Sequence, residues 1–393
     1  KWFARRQAGS ESGLKHCYCR VGTVAGNELP LRIFMINLNY PLLKPVRILL
    51  LPFSLIYGLI VYFRNWLFDK KFIQSAAFNL PVICIGNLSV GGTGKSPMVE
   101  LLIENLKGQF KMAVLSRGYK RKTRGYALAT GVTNALEIGD EPMQFFLKFP
   151  DVTVAVGEER IEAIPQLLHD KPDTEVIILD DAFQHRYVRA GLNILLTDVN
   201  NLFTRDWFLP TGDLRDQKKS YLRANMIVVT KCSTDLSLAE KHQLIKEISP
   251  AAHQRIFFSA IRYGDPYQII TKEKYIPRQE TEVLLVTGIA NPAPLKKHLE
   301  ENFREYDELA FSDHHIFTID DLKFILKRFQ QLRSEHKIIL TTEKDAVRLV
   351  KFSHELQKLP LFVIPIQPVF LFREEKEFLR IITTFIQEFP EQA

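Results

Sequence analysis

The chain has 393 residues, 46% of them hydrophobic and 25% charged, which is ordinary for a globular protein and gives room for two to three domains. Those figures exclude a disordered chain, a collagen-like repeat and a polytopic membrane protein. Lysine and arginine number 52 against 45 acidic residues, a net charge of +7, which favours an anionic partner: nucleic acid, a phosphorylated substrate or an acidic membrane surface. The four cysteines, Cys17, Cys19, Cys84 and Cys232, make no CxxC pair. A disulfide scaffold or zinc ribbon is therefore not expected, and a reducing compartment fits.

Residues 1–34 show neither helical nor strand period, and no apolar stretch follows the early basic residues as a secretory signal requires. The text becomes coherent at Met35. We expect 1–34 to be a non-native or disordered extension and 35–78 a membrane-associated helical segment. Ile48–Phe63 is almost wholly apolar, with Lys44 and Arg47 before it and Arg64, Lys70 and Lys71 after it. A helix over 48–63 reaches about 24 Å, short of a roughly 30 Å hydrocarbon core, and Pro52 and Gly58 interrupt the run. Aromatic and cationic edges suit a membrane interface. A helix lying in the interface is favoured over a short spanning helix and a buried core helix.

Compact apolar strands are expected at 81–86, Met112–Ser116, Val152–Val156, Val176–Leu179, Asn193–Thr197, Met226–Thr230 and Ile256–Ser259, most of them separated by helical patterns. Short continuous apolar strands alternating with helices predict a doubly wound parallel sheet over 79–262, of P-loop NTPase type given the glycine-rich loop Gly-Asn-Leu-Ser-Val-Gly-Gly-Thr-Gly-Lys-Ser at 86–96. Polar residues around Tyr263-Gly264-Asp265-Pro266 mark a connector at 263–281. Strands at Val283–Thr287, Lys337–Thr341 and Leu361–Pro365, with helices at Ala293–Asn302 and Glu375–Phe389, predict a smaller α/β domain over 282–393.

Residues 86–97 read Gly-Asn-Leu-Ser-Val-Gly-Gly-Thr-Gly-Lys-Ser-Pro, between a strand and a helix as a phosphate-binding loop requires. Gly91, Gly92, Thr93 and Gly94 offer backbone N–H groups to phosphate oxygens at a helix N-terminus. Lys95 can reach the β- and γ-phosphates of a nucleotide, and Ser96 can place its hydroxyl on Mg²⁺. The usual first glycine of such a loop is Ser89 here. Val176–Leu179 runs into Asp180 and Asp181, a buried strand ending in carboxylates beside the loop, suited to holding Mg²⁺. Gln184 and His185 lie just beyond and are expected to line the same cleft. A basic run contains Arg117, Lys120, Arg121, Lys122 and Arg124. Arg117 follows a strand onto the same sheet edge, so the run is either a solvated face or a site for a phosphorylated lipid or anionic headgroups. Asp140 follows Gly139 and precedes Glu141-Pro142; on position alone it reads as a helix N-cap.

Seven stretches, in this order, resemble one family closely, the tetraacyldisaccharide 4′-kinases (lipid A 4′-kinases) of Gram-negative bacteria: GNLSVGGTGKSP (86–97), SRGYKR (116–121), GDEP (139–142), DDAFQHR (180–186), LPTGDLR (209–215), FSDHH (311–315) and TEKD (342–345). The resemblance runs from about Met35 to the C-terminus. Ala182 and Asp213 depart from the family's usual residues, without removing a titratable or phosphate-binding group. The resemblance implies a two-domain kinase on the cytoplasmic face of the inner membrane. It would use ATP and Mg²⁺ to phosphorylate the 4′-hydroxyl of a tetraacylated glucosamine disaccharide 1-phosphate, giving lipid IVA. It implies Asp140 as catalytic base and His314 acting with it, either orienting the carboxylate or relaying its proton across two closing domains. Without the resemblance, Asp313 would cap a helix starting near Thr318 and both histidines would be solvated. Arg117 and Arg121, with Gln184 and His185, are then the substrate-binding expectations. The expected partners are the lipid and the inner-membrane surface, for a monomer without nucleic acid. Three other classes are weighed: a P-loop ATPase or GTPase doing mechanical or metal-insertion work, a nucleotide-dependent membrane adaptor without turnover, and nucleic-acid binding through Arg117–Arg124, around which no aromatic platform or named nucleic-acid motif is found. Against a GTPase, Thr230-Lys231-Cys232 ends a strand without a clear guanine-reading NKxD motif.

Overall fold

The structure, a computed structural model, describes residues 20–21, 47–278 and 280–390. Apart from the strand Arg20–Val21, the expectations for 1–34, and those for a start at Met35, lie outside the described residues. The chain divides into two compact units. Of the described residues the larger takes 47–264 and 365–390, and the smaller 20–21 and 265–364.

The larger unit is organised on a nine-stranded sheet in the order β14-β8-β7-β6-β1-β5-β2-β4-β3. In chain order these are β1 (Val82–Asn87), β2 (Met112–Ser116), β3 (Ala127–Leu128), β4 (Thr153–Val156), β5 (Val176–Asp180), β6 (Leu192–Asp198), β7 (Met226–Thr230), β8 (Arg255–Tyr263) and β14 (Ile366–Phe370). The inner strands are parallel; the edges β3 and β14 are antiparallel to their neighbours. Apolar residues cover both faces. One face packs Ile83, Val114 and Ile178 under Met98 and Leu102 of helix α2 (Lys95–Leu106) and Phe145 of α3 (Asp140–Lys148). The other packs Ile177 and Ile227 under Ile164 and Leu167 of α4 (Arg160–Asp170) and Leu244 of α5 (Leu238–Ile248). This two-sided burial is why the strands read as continuous apolar runs.

The final segment does not belong to the smaller domain, as its place in the chain suggests. Strand β14 pairs antiparallel with β8, and the last helix, α9 (Glu375–Gln387), buries Phe378, Ile382 and Ile386 in the first face of the large sheet. Its i, i+4, i+8 stripe finds apolar surface there. The connector expectation is corrected too. Within 263–281, β9 (Tyr267–Gln268) pairs antiparallel with β13 (Leu361–Ile364) and so forms part of the smaller sheet. The remaining strands of that sheet are β10 (Glu282–Thr287), β11 (Glu305–Ala310) and β12 (Lys337–Thr342), in the order β11-β10-β12-β13-β9, with Arg20–Val21 paired outside β11. Helices α6 (Ala293–Asn302), α7 (Ile319–Gln330) and α8 (Glu343–Leu349) connect them.

Helix α1 (Leu51–Asp69) continues a 3₁₀ turn at Ile48–Leu50. Pro52 sits in its first turn, where the missing N–H costs no intrahelical bond, and the helix passes Gly58 and Arg64 unbroken. The apolar stretch Ile48–Asp69 is therefore 22 residues, about 33 Å, longer than expected. Its two faces differ. Ser54, Val61, Asn65 and Phe68 are buried against the larger unit, whereas Leu49, Phe53, Leu59 and Ile60 are each more than 60% exposed. Polar bonds secure the buried face from end to end. Arg47, just before the helix, donates to the Pro210 carbonyl and pairs with Asp213 (both 2.9 Å). Ser54 Oγ bonds Thr211 Oγ1 (2.7 Å), and Tyr57 donates its hydroxyl to the Arg215 carbonyl (3.0 Å). Arg64 donates to the Gln184 carbonyl (3.0 Å) and Asn65 to Asp216 (2.7 Å). Arg186 pairs with Asp69 (2.7 Å).

Candidate active site

The loop leaving β1 is held open by two glycines with positive φ, Gly91 (106°) and Gly94 (84°), the second serving as the cap of α2. A β-carbon on Gly91 or Gly92 would meet nothing within 4 Å, so the loop encloses space, not protein. The N–H groups of the first turn of α2 face an anion site with the helix dipole behind them. The loop is anchored on both sides. Thr230 Oγ1 donates to the Thr93 carbonyl (2.9 Å). The Val90 N–H donates to the Asp213 carbonyl (2.7 Å) and the Arg215 N–H to the Leu88 carbonyl (2.9 Å). Ser89, at the usual glycine position, spends its hydroxyl on Asp206 (3.3 Å).

Strands β1 and β5 are neighbours, with Ile85 opposite Asp180, so the carboxylate pair emerges one strand from the loop. The two aspartates differ in surroundings. Asp180 is 1% exposed; Ser116 donates to its Oδ2 (3.0 Å), while its Oδ1 is buried without a hydrogen-bond partner. Burial, reinforced by the charges of Glu141 and Asp181, pushes its carboxyl up to about 7. Asp181 sits at φ 50° and receives both guanidinium nitrogens of Arg215, Nη1 at 3.2 Å. Lys95 Nζ is 3.6 Å from the same carboxylate and 3.4 Å from Asn87 Oδ1. Burial opposes ionisation of Asp181, but Lys95, Arg215 and Arg160 hold its carboxyl below the usual range. A buried carboxylate oxygen with no donor, at the end of the strand paired with the one that leads into the loop carrying Ser96, has the hard oxygen chemistry of a Mg²⁺ ligand. Among the described residues no group of three His, Cys, Asp or Glu could cage a metal alone.

Around this centre the sequence-derived residues divide. Gln184 donates its amide to the Asn87 carbonyl. His185 Nε2 accepts from the Arg160 N–H (3.3 Å), and burial, then the charges of Arg160, Arg64 and Arg117, push its ring down to about 4, leaving it neutral near pH 7. Arg117 is exposed at the end of β2, close enough to act on both His185 and Arg160. Arg121 departs from the expectation: its buried guanidinium pairs with Glu158 (2.7 Å) and donates to the Gly125 carbonyl, so it braces the loop instead of facing a ligand. Lys120, Lys122 and Arg124 are exposed. Asp140 is the first residue of α3 and Gly139 is the cap, so the N-cap reading fails by one position. Glu141 beside it acts on Asp180 through charge.

Asn87, Glu141, Arg160 and Arg215 are site residues that the sequence did not single out. Arg160, buried, donates to the Asp180 carbonyl (3.2 Å). Asn87, Glu141 and Arg215 each lay inside a stretch already carrying the family resemblance.

His314 belongs to the smaller unit, at the carboxyl end of its sheet. Its φ is 62°, a conformation non-glycine residues adopt at a cost. Its ring Nδ1 receives Arg348 Nη2 (3.0 Å). Asp313 does not cap the following helix: α7 starts with a capping box between Thr318 and Asp321, and Asp321 also holds His315 (2.9 Å).

The sequence profile described as Tetraacyldisaccharide-1-P 4′-kinase matches residues 46–387. The tetraacyldisaccharide 4′-kinase of Bacteroides thetaiotaomicron is 45% identical over 354 residues, 86% of this chain and 93% of that protein. That of Flavobacterium johnsoniae is 44% identical over 347 residues, 87% and 98% of the two chains. The crystal structure of LpxK from Aquifex aeolicus in complex with ATP is similar with a TM-score of 0.69 at 30% identity, over 87% of this chain and 99% of that one. With its phosphate loop, its carboxylate strand and this agreement over most of its length, the chain belongs to the tetraacyldisaccharide 4′-kinase family.

Proposed function

We infer that this chain is an ATP- and Mg²⁺-dependent kinase that transfers the γ-phosphoryl group to the 4′-hydroxyl of a tetraacylated glucosamine disaccharide 1-phosphate, giving lipid IVA in lipid A biosynthesis. The observation that carries it is the open loop Gly91–Ser96 facing a buried, unpartnered Asp180 oxygen on the adjacent strand. The N–H groups of the loop and Lys95 bind the nucleotide phosphates. Ser96 and Asp180 would hold the ion, and Asp181 positions Lys95 and Arg215. When bound, Mg²⁺ screens charge on the β- and γ-phosphates. Asp140, as base, takes the proton of the 4′-hydroxyl as its oxygen bonds to phosphorus and the bond to the β-phosphate oxygen breaks. His314 assists Asp140. Arg117, Gln184 and His185 line the acceptor side. Transfer of label from ATP to the lipid, resolved by thin-layer chromatography, tests the activity; label released only as inorganic phosphate would refute it.

The raised Asp180 carboxyl carries a pH signature. In metal-free protein it keeps its proton below about 7, and a dication must displace that proton. Apparent Mg²⁺ affinity is therefore expected to fall about tenfold per pH unit below 7 and to level off above it. Mg²⁺ titrations across this range check it, and Asp180→Asn should flatten the slope.

Helix α1 is read as lying in the membrane interface on the cytoplasmic face of the inner membrane, where ATP is available. Its buried face is bonded to the larger unit from Arg47 to Asp69, which supports a helix parallel to the bilayer, its exposed stripe entering the headgroup region. The chain is read as a monomer that binds no nucleic acid; for the second part, the support is that Arg121 of the basic run is already paired with Glu158. Leu59→Glu with Ile60→Glu should move the protein from the membrane to the soluble fraction, with its melting temperature unchanged. Unaltered membrane partition would contradict the interfacial placement.

A further inference from the structure

The segment 206–216 bridges the phosphate loop and helix α1, all within the larger unit. Beside the loop it runs antiparallel to 88–90: the Val90 N–H donates to the Asp213 carbonyl (2.7 Å) and the Arg215 N–H to the Leu88 carbonyl (2.9 Å). The buried Asp206 carboxylate gathers Ser89 Oγ (3.3 Å) and the N–H groups of Trp207 (2.8 Å) and Asp213 (3.1 Å). Beside the helix, the buried guanidinium of Arg47 holds three acceptors: the Pro210 carbonyl (2.9 Å), the Gly212 carbonyl and the Asp213 carboxylate (2.9 Å). The segment between has no slack. The Gly212 N–H donates to the Phe208 carbonyl (2.9 Å) and the Leu214 N–H to the Trp207 carbonyl (2.9 Å). A β-carbon on Gly212 would come within 2.1 Å of the Trp207 oxygen. Asp213 belongs to both sides at once: its carbonyl fixes Val90, the residue before Gly91, and its carboxylate is fixed by Arg47.

We propose that Asp213 is a positioning residue for ATP: clasped by Arg47 at the start of α1, it sets the place of the phosphate loop through its own backbone. The proposal rests on the reading of Gly91–Ser96 as the nucleotide-phosphate site. A β-carbon on Gly91 or Gly92 would meet nothing within 4 Å, so packing does not hold the loop there. Its entry limb is held by the hydrogen bonds at Leu88 and Val90 instead. A tightly packed, hydrogen-bonded segment passes a displacement on and does not absorb it. When the clasp opens, Asp213 shifts, and the N–H groups that follow Val90 lose their convergence on the phosphates. Those groups hold ATP before and during transfer alike, so the clasp serves ATP affinity and not the chemical step. The lipid makes no use of them, and its KM should not follow.

Calorimetric titration of the detergent-solubilised full-length protein with ATP tests the clasp without any lipid. Asp213→Ala removes the carboxylate and keeps every backbone bond; the Kd for ATP should rise about tenfold, the scale of one charge-assisted hydrogen bond. Arg47→Met should raise it as much or more, and Arg47→Lys, which keeps a cation, should raise it less. Asp213→Ala combined with Arg47→Met should be no worse than Arg47→Met alone, because one interaction cannot be removed twice. In the labelled-ATP assay, KM for ATP should rise with Kd while kcat and the lipid KM stay within about twofold of wild type. An unchanged Kd in Asp213→Ala, or multiplicative losses in the double variant, overturns the proposal. Equal rises in both KM values with a lowered melting temperature mark a merely structural pair and overturn it too. Should Arg47→Met not fold, Asp213→Ala and Arg47→Lys decide by the same comparison. Wild-type protein that binds ATP but labels no lipid refutes the kinase reading and leaves the clasp to be judged on Kd; wild-type protein that binds no ATP overturns both.

Discussion

Lys95→Ala is expected to lose phosphoryl transfer by roughly 10²–10³-fold or more in kcat, the scale on which one preorganised charge at a transition state is worth removing. The ammonium stands at the mouth of the loop, 3.4 Å from Asn87 and 3.6 Å from Asp181. As negative charge spreads over the γ-phosphoryl group it can turn from these partners to the phosphate. Asp181 keeps Arg215 when Lys95 is gone, so the carboxylate is not left unpaired and the fold should hold. The measurement is kcat with labelled ATP and lipid acceptor beside a thermal melt. Full activity in a folded Lys95→Ala protein would end the kinase reading of this loop.

Asp140→Asn should lower kcat by about 10²–10⁴-fold, the usual worth of a positioned general base, with little change in KM for ATP. The competing role makes a different forecast. Asp140 occupies the first position of α3, behind a glycine cap; its structural value is then a charge near the helix N-terminus, about 0.3–1 kcal/mol. A residue with only that value would show a slightly lower melting temperature and near-normal turnover. Turnover within a few-fold of wild type would remove Asp140 from the base role.

The parts of the fold legible in the sequence are those whose burial is two-sided. Strands β1, β2, β5 and β7 are runs of apolar residues because both faces are covered. Strand β11 was hidden by its acids. Glu308 is buried against Lys296 (2.6 Å) and Asp307 pairs with Arg328, so partners from distant helices make a strand of residues that alone read as a polar loop. Strand β14 was hidden by Pro368, which an edge position tolerates. In the site, Lys95, Asp180 and Asp181 were legible because their chemistry is local to one loop and one strand end. Arg215 was not, because its contact with Asn87 spans 128 positions, and Arg121 was misread because the acid that binds it, Glu158, lies 37 positions away. Charge runs do not reveal which members are already paired.

The larger unit is interrupted by the smaller one: 47–264 comes first and 365–390 returns to complete it. During translation, at about 5–20 residues per second, the whole chain needs roughly 20–80 s. Helix α1 leaves the ribosome early, long before Thr211, Arg215 and Asp216 exist to bind its polar face. The edge strand β14 and helix α9 are made after the whole of 265–364. A nascent chain therefore carries an apolar helix with no protein seat, and the larger sheet gains the cover of α9 only once 265–364 has been made. Helix α1 is therefore made before the residues that seat it, and the larger sheet is completed only after the smaller unit has been made.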